Sequence, residues 1–510
     1  MSVSAESRRT DLVTEPNSIS SEVAAFLARP KKLFIGGDWL DSRSGQTFAV
    51  LDPSSGQAIA SVAEGQAQDI DRAVAAARQA FDDSAWSRMR PMEREQLLHK
   101  LADLIEKHAD TIAQIEALDN GKSVVIARHV DVKHAIEVYR YMAGWPSKIE
   151  GQTLPLSGSL LPDQTFVGYS LREPVGVVGA IIAWNFPFLL AAWKLAPALA
   201  AGCTVVLKPA EETPLSALYL GQLIAEAGFP DGVVNIVPGF GDTAGAALSS
   251  HPDVDKVTFT GSTEVGRLIA RAATGNMKKV TLELGGKSPT IVFGDVDAGM
   301  AIAGAASAIF FNHGQTCCAG SRLYVQSNRF DEIIEGVSAI ADGLKMGPGL
   351  NPESEIGPLV SATQRDRVMS YISQGLADGA RAAAGGRALD TDGYYVQPTV
   401  FTHVNAEMSI VREEIFGPVV VAAAFDDLDE IAAVANRGKY GLAASIWTKD
   451  ISIVHRLAPK LKAGTVWVNC HNVLDPTMPF GGYKQSGWGR ELGKEALHSY
   501  LESKSMCIRV

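Results

Sequence analysis

Pro174-Val175-Gly176-Val177-Val178-Gly179-Ala180-Ile181-Ile182-Ala183-Trp184-Asn185-Phe186-Pro187-Phe188-Leu189-Leu190-Ala191-Ala192-Trp193 runs for 20 residues without a charge, long enough to cross a bilayer as a single helix. Its internal order points elsewhere. Residues 175–183 are rich in valine and isoleucine and carry two glycines, the Trp184-Asn185-Phe186-Pro187 turn interrupts them, and residues 188–201 then read as a helix. The same alternation continues downstream. Strands are expected at 204–208, 233–237 and 256–260, and helices at 214–227, 243–249 and 263–273. Strands that alternate with helices imply parallel pairing with crossover helices, a doubly wound α/β sheet. A second series begins after Thr281, with strands expected at 290–293, 323–326, 419–424 and 465–469 and helices at 298–311 and 329–342. The chain therefore reads as α/β, with two doubly wound parallel-sheet domains.

Upstream, Ile70, Val74, Ala77 and Phe81 recur at helical spacing over 67–81. A second helix carries Leu97, Leu98, Leu101, Leu104, Ile105, Ile112 and Ile115 to a stop at Asn120-Gly121. Residues 149–171 have no apolar period and suggest an extended excursion. A length of 510 residues predicts two or three domains, and the balance of 46 basic against 57 acidic residues gives a net charge of −11, which argues against nucleic acid as a partner. Five cysteines at irregular spacing are too few for a disulfide framework. The first 30 residues mix Arg8 and Arg9 with Glu6, Asp11, Glu15 and Glu22, and no apolar run follows the arginines. They read as a polar tail, and the protein as cytoplasmic with no membrane span.

Chemistry concentrates at Phe310-Phe311-Asn312-His313-Gly314-Gln315-Thr316-Cys317-Cys318. A thiolate is a strong nucleophile once backbone N–H groups or positive charge lower its pKa, although two buried structural thiols are the plainer reading. Glu283, in the apolar run Val280-Thr281-Leu282-Glu283-Leu284-Gly285-Gly286-Lys287, is a candidate general base or the partner of Lys287. Lys208-Pro209-Ala210-Glu211 follows a strand's carboxyl end, where open α/β sheets bind ligands, although a solvated loop is the alternative. Gly239–Gly245 superficially resembles a dinucleotide fingerprint, and Phe259-Thr260-Gly261-Ser262-Thr263-Glu264-Val265-Gly266 is better placed before a helix amino end. No metal site is expected: His129 and His134 are five apart and do not share a helix face, and Cys470-His471 lacks partners. Ser486 lies outside a nucleophile-elbow pattern.

Taken in order, Trp184-Asn185-Phe186-Pro187, Lys208-Pro209-Ala210-Glu211, 259–266, 282–287, 314–317, Glu414-Ile415-Phe416-Gly417-Pro418 and Pro479-Phe480-Gly481-Gly482 resemble the aldehyde dehydrogenase superfamily from about Leu33 onward. The resemblance implies an NAD-binding domain (31–148 and 172–282), a catalytic domain (283–490), and a small β oligomerisation arm (149–171 and 491–510) that serves dimer or tetramer formation. It implies that Cys317 attacks the aldehyde to form a thiohemiacetal, that the Asn185 amide and the Cys317 N–H hold its oxyanion, and that Glu283 activates water to hydrolyse the thioester; Cys318 is read as structural. It places NAD against Trp184, Lys208, Glu211, Gly241, Gly261, Ser262, Glu414 and Phe416. Because Glu211 would repel a 2′-phosphate, NAD is expected over NADP.

The positions matching the family's substrate tunnel are Phe186, Leu190, Trp193, Phe311, Leu474 and Phe480, an apolar and aromatic set without an arginine to clamp a second anionic group. With Asn472-Val473-Leu474-Asp475-Pro476-Thr477-Met478 and Lys484-Gln485-Ser486-Gly487-Trp488-Gly489-Arg490, the chain is similar to bacterial phenylacetaldehyde dehydrogenases. An arylacetaldehyde is the expected substrate. The alternatives are broad aliphatic specificity, a coenzyme A-acylating enzyme, which Glu283 argues against, and a non-catalytic relative, which retention of Cys317, Glu283 and Asn185 argues against.

Overall fold

The computed structural model describes residues 18–158, 161 and 163–510. Its first sheet has eight strands in the spatial order Gly487–Trp488, Lys279–Glu283, Lys256–Thr260, Val177–Ile181, Thr204–Lys208, Val234–Ile236, Leu33–Ile35 and Asp38–Leu40. The five from Lys279–Glu283 to Val234–Ile236 run parallel, and the edges are antiparallel. Every residue of Val177–Ile181, Thr204–Lys208 and Lys256–Thr260 is buried, as strands covered by helices on both faces must be. The uncharged opening stretch is thus a strand, a loop and the buried helix Pro187–Ala201, which begins at a proline and ends at Gly202 with φ 97°. No helix among the described residues is long and apolar enough to cross a membrane.

The second sheet has seven strands, ordered Arg381–Ala384, Thr399–Thr402, Val419–Phe425, Arg322–Gln326, Pro289–Val292, Ala443–Trp447 and Thr465–Val468; only the first is antiparallel to its neighbour. A third sheet joins Leu501–Arg509, Phe166–Pro174 and Thr153–Leu154. Leu501 pairs with Pro174 and Arg509 with Phe166, nine pairs in continuous register.

Several expected boundaries move. The helix expected to run unbroken to Asn120-Gly121 is two helices, Pro91–Lys107 and Ala109–Asp119, because His108 adopts non-helical φ −101° and ψ 16°. In place of a helix at 243–249 there is a π-helical turn, Gly241–Gly245, leading into Ala246–Ser250. The polar tail contains helix Ser21–Leu27, capped by the Ser20 hydroxyl and anchored by buried Val23 and Phe26; residues 1–17 lie outside the described residues. The arm strand extends to Pro174. Strand Gly487–Trp488 joins the first sheet beside Leu282 and Glu283, and helix Gly493–His498 precedes the final arm strand.

Candidate active site

Parallel strands deliver side chains to their carboxyl ends, and here they converge. Glu283 is the last residue of Lys279–Glu283, Thr260 ends the neighbouring strand and pairs with it, and Asn185 follows Val177–Ile181. Cys317 arrives from the side of the second sheet, after helix Ala298–Phe310. Asn312 and His313, at φ 48° and 58°, and Gly314, at φ 69°, turn the chain through three successive left-handed residues. Two side chains hold that turn: the Asn312 amide donates to the main-chain oxygens of Asn185 (3.0 Å) and Gln315 (3.3 Å), and His313 Nε2 accepts from the Gly357 N–H at 2.8 Å. Non-glycine residues in this region cost energy that the surroundings must repay, which is common where a loop aims a reactive group.

Two cavities meet at these residues. The smaller, about 230 Å³, is lined by Asn185, Glu283 and Cys317 and by all six expected tunnel residues, Phe186, Leu190, Trp193, Phe311, Leu474 and Phe480. Phe186 and Phe311 stand nearly parallel, with centroids 6.2 Å apart at 22°, and Trp193 meets Phe480 edge-on at 5.6 Å. The larger, about 490 Å³, shares Asn185, Thr260, Glu283 and Cys317 and adds Trp184, Gly261, Ser262, Glu414 and Phe416. Lys208, Glu211 and Gly241 do not line it. Lys208 pairs with Glu211 at 2.9 Å, and a Cβ at Gly245, at the end of the Gly241–Gly245 turn, would lie 3.9 Å from the Lys208 stem.

The larger cavity is shaped for close backbone approach. A Cβ at Gly261 would lie 2.4 Å from the Phe259 ring, and one at Gly285 2.0 Å from Glu414 Oε2. Ser262 caps helix Thr263–Ala273 by accepting from the Val265 N–H at 3.2 Å, and the other N–H groups of a helix's first turn are of the kind that receive phosphate oxygens. Trp184 and Phe416 meet edge-on at 5.2 Å. These features fit a dinucleotide, with pyrophosphate at the helix amino end.

Electrostatics sort the two candidate catalytic groups. Burial pushes the Glu283 carboxyl up to about 8; nearby Glu491 raises it further, while Lys194 and Arg490 pull it down. Glu283 Oε1 is buried without a hydrogen-bond partner. Lys287 is therefore not its partner; that ammonium is itself buried and unpartnered, and burial lowers it to about 7. The expectation of a lowered thiol pKa is corrected: the Cys318 sulfur, burial, and the negative charge of Glu283 and Glu414 hold Cys317 well above the usual thiol range. A partly buried thiol beside a buried carboxylate rests as a thiol and needs a base to become a nucleophile.

Sequence reasoning missed three features. Lys194 and Glu491 form a fully buried ion pair that sets the field at Glu283; a lysine within an apolar helix was its signal. Lys122 pairs with Asp131 inside the protein, donates to the Asn185 carbonyl at 2.9 Å and lies 4.3 Å over the Phe186 ring, which fixes the loop bearing both. The tunnel also has a polar rim of exposed His129, Lys133 and Glu137, with His134 buried behind it. The statement that His129 and His134 cannot share a face assumed α-helical spacing. Residues Ala127–Val132 form a π-helical turn, which widens the helix and brings residues five apart to the same side. Among the described residues no cluster of three or more candidate ligands could hold a metal, and the five cysteines form no disulfide.

An open sheet with a dinucleotide-shaped cleft, and a thiol and a carboxylate at its floor, is the arrangement of a nucleotide-dependent enzyme. Comparison with known proteins narrows that class. A sequence profile described as "Aldehyde dehydrogenase family" matches residues 39–506. The mitochondrial aldehyde dehydrogenase of Mesocricetus auratus is 51% identical over 481 residues, 94% of this chain and 95% of that protein. The phenylacetaldehyde dehydrogenase of Pseudomonas fluorescens is 48% identical over 500 residues, 97% and 100% of the two chains. The NAD+ complex of an aldehyde dehydrogenase from Bacillus cereus superposes with a TM-score of 0.95 at 50% identity, covering 97% of this chain and 100% of that one. The chain belongs to the aldehyde dehydrogenase family, and its activity is the NAD-dependent oxidation of an aldehyde.

Proposed function

We propose that the aldehyde is an arylacetaldehyde, phenylacetaldehyde in the first instance, oxidised to its carboxylic acid through Cys317. The observation that carries this reading is the wall of the smaller cavity, where Phe186, Trp193, Phe311 and Phe480 surround the approach to the thiol and no arginine is present. A substrate ring gains roughly 0.5–1.5 kcal/mol from a well-placed aromatic neighbour beyond burial itself. The Pseudomonas fluorescens relative supports the same substrate, although the mitochondrial relative is as similar, so identity alone does not choose.

In this reading Glu283 takes the Cys317 proton, the thiolate adds to the carbonyl, and the Asn185 amide with the Cys317 N–H holds the oxyanion of the thiohemiacetal. Trp184, Gly261, Ser262, Glu414 and Phe416 hold NAD, with Lys208, Glu211 and Gly241 at its adenosine end; when bound it supplies the hydride acceptor that turns this adduct into a thioester. Glu283 passes the Cys317 proton to solvent, then as carboxylate removes a proton from water; the resulting hydroxide attacks the thioester, the carbon–sulfur bond breaks, and the departing thiolate takes that proton as the acid leaves. Burial suits Glu283 to both steps, because a base with a pKa near 8 is stronger than an ordinary carboxylate.

Residues 31–148 and 172–282 are proposed to form the NAD-binding unit and 283–490 the catalytic one, with the sheet of Phe166–Pro174 and Leu501–Arg509 joining copies of the chain. Val167, Leu171 and Ile508 are exposed on that sheet, as an assembly surface would require. Five unpaired cysteines support a reducing compartment, the cytoplasm.

The test is NADH formation from phenylacetaldehyde, benzaldehyde and straight-chain aldehydes, with Cys317→Ala as control. Highest kcat/KM for phenylacetaldehyde supports the reading. Preference for short aliphatic aldehydes overturns the substrate, dependence on coenzyme A overturns hydrolysis, and full turnover by Cys317→Ala overturns the mechanism.

A further inference from the structure

The lining of the tunnel is less uniform than its aromatic residues suggest. Around the thiol, Asn185 Oδ1, Thr260 Oγ1, Glu283 Oε1 and Thr316 Oγ1 are buried without a hydrogen-bond partner, and beyond them three more atoms of the lining share that state: His134 Nε2, Trp193 Nε1 and Asn472 Nδ2. Each belongs to a residue otherwise fixed in place. His134 is 7% exposed and meets Trp193 edge-on with ring centroids 6.2 Å apart. The Asn472 amide oxygen accepts from the Cys318 thiol at 3.4 Å, which leaves its nitrogen as the free end. Native interiors rarely leave buried polar atoms unpaired; those around the thiol face the reacting aldehyde, and His134 and Trp193, whose rings are in contact, call for an occupant that pairs them.

The hydrogen-bonding sense of His134 follows from its neighbour. Glu137, one helical turn on, places Oε2 3.6 Å from His134 Nδ1. A carboxylate facing Nδ1 holds the ring proton there, so Nε2 carries the lone pair and accepts. Burial lowers the His134 pKa, against the opposing pull of Glu137 and Asp475, and favours this neutral form. Trp193 Nε1 and Asn472 Nδ2 can only donate. The touching rings of His134 and Trp193 therefore offer one acceptor and one donor side by side, and a hydroxyl, which both donates and accepts, matches that pair.

Resting on the arylacetaldehyde reading above, we infer that the tunnel selects an arylacetaldehyde bearing a hydroxyl on the ring, distal to the carbonyl, whose hydrogen is accepted by His134 Nε2. The aldehyde lies at Cys317, the ring passes the aromatic wall, and the hydroxyl lies at His134 and Trp193. The π-helical turn Ala127–Val132 brings His134 to this position, with its Asp131 locked by Lys122. An unsubstituted ring would leave the His134 and Trp193 nitrogens unpaired.

The experiment compares kcat/KM for 4-hydroxyphenylacetaldehyde and phenylacetaldehyde with NAD, in the wild type, His134→Leu and Glu137→Gln. One net hydrogen bond predicts a wild-type preference of about three- to tenfold for the hydroxylated substrate. The ratio should fall to about one in His134→Leu. In Glu137→Gln, where the amide holds the tautomer less firmly, it should lie between the two. A wild-type ratio of one or below, or a preference that survives in His134→Leu, overturns the inference while leaving the arylacetaldehyde reading intact. Failure of the wild type to oxidise either compound, alongside ready oxidation of hexanal, overturns that reading and this one with it. Should His134→Leu not fold, inhibition of the wild type by 4-hydroxyphenylacetate and phenylacetate decides: tighter inhibition by the hydroxylated acid supports the inference, and equal inhibition overturns it.

Discussion

The side-chain nitrogen of Asn185 donates to the main-chain oxygen of Gln315 at 3.0 Å, across 130 residues of sequence. One hydrogen of the amide thus ties the loop of the first sheet to the loop that carries Cys317, and the other is available to a developing oxyanion. Asn185→Ala is expected to lower kcat by about 10²–10³. Cys317 should still be alkylated by iodoacetamide; if alkylation fails in parallel with kcat, the amide is a structural tie and not an oxyanion donor.

Cys318 is the first cause of the raised Cys317 pKa. Replacing it with alanine removes both the hydrogen bond to the neighbouring thiol and the like charge, so the pH profile of Cys317 alkylation should move to lower pH. An unmoved profile would assign the shift to burial and the glutamates.

The base is read from its titration. As the proposed base Glu283 would act as carboxylate, and with burial raising its pKa to about 8, kcat/KM should climb as pH rises through neutrality and level off above about 8. Glu283→Gln should flatten the climb at a far lower rate. Glu491 raises the Glu283 pKa, so Glu491→Gln, which also leaves Lys194 uncompensated, should move the limb to lower pH. A limb displaced upward by Glu491→Gln would contradict this.

Glu211 holds Lys208 at 2.9 Å. The wild type should prefer NAD, since the carboxylate repels a 2′-phosphate. In Glu211→Gln that repulsion disappears and the Lys208 ammonium is released toward it. The ratio of kcat/KM for NAD over NADP is expected to fall at least about tenfold, or about 1.4 kcal/mol; initial rates with each cofactor measure it, and a wild type that favours NADP would refute the assignment.

Gly487 faces Glu283 in the antiparallel pair at the sheet edge, at φ 122°, and a Cβ there would lie 1.9 Å from the Leu282 carbonyl oxygen. Gly487→Ala should cost about 3 kcal/mol, seen as a lower Tm, and should reduce turnover by displacing Glu283. Unchanged Tm would mean the edge strand yields freely.

The parts of the fold that were legible in the sequence are those where local pattern and burial agree. Thr204–Lys208, Lys256–Thr260 and Thr263–Ala273 occur at the residues expected, since strands buried on both faces and a helix with one apolar stripe leave unambiguous patterns. Asn185, Glu283 and Cys317 gather at one floor, and the six tunnel positions line one cavity. What eluded the sequence depends on departures from regular spacing or on distant partners. The break at His108 has no proline or glycine to announce it, and the π-helical turn at Ala127–Val132 looks like ordinary helix, so His129 and His134 were assigned to different faces. Local sequence likewise gives no sign that Lys194 finds Glu491, 297 residues away.

That last separation bears on how the enzyme comes into being. Trp488 closes the edge of Lys279–Glu283 and donates to the Val280 carbonyl 208 residues upstream, and the partner that neutralises Lys194 follows at Glu491. During synthesis the growing chain can complete most of the first sheet long before either arrives. In that interval the base strand is an open edge, and Lys194 is a charge that folding must keep wet. Assembly of the catalytic floor is thus a late event, governed by contacts of high sequence separation. A nascent chain would be expected to acquire nucleotide affinity before it acquires turnover.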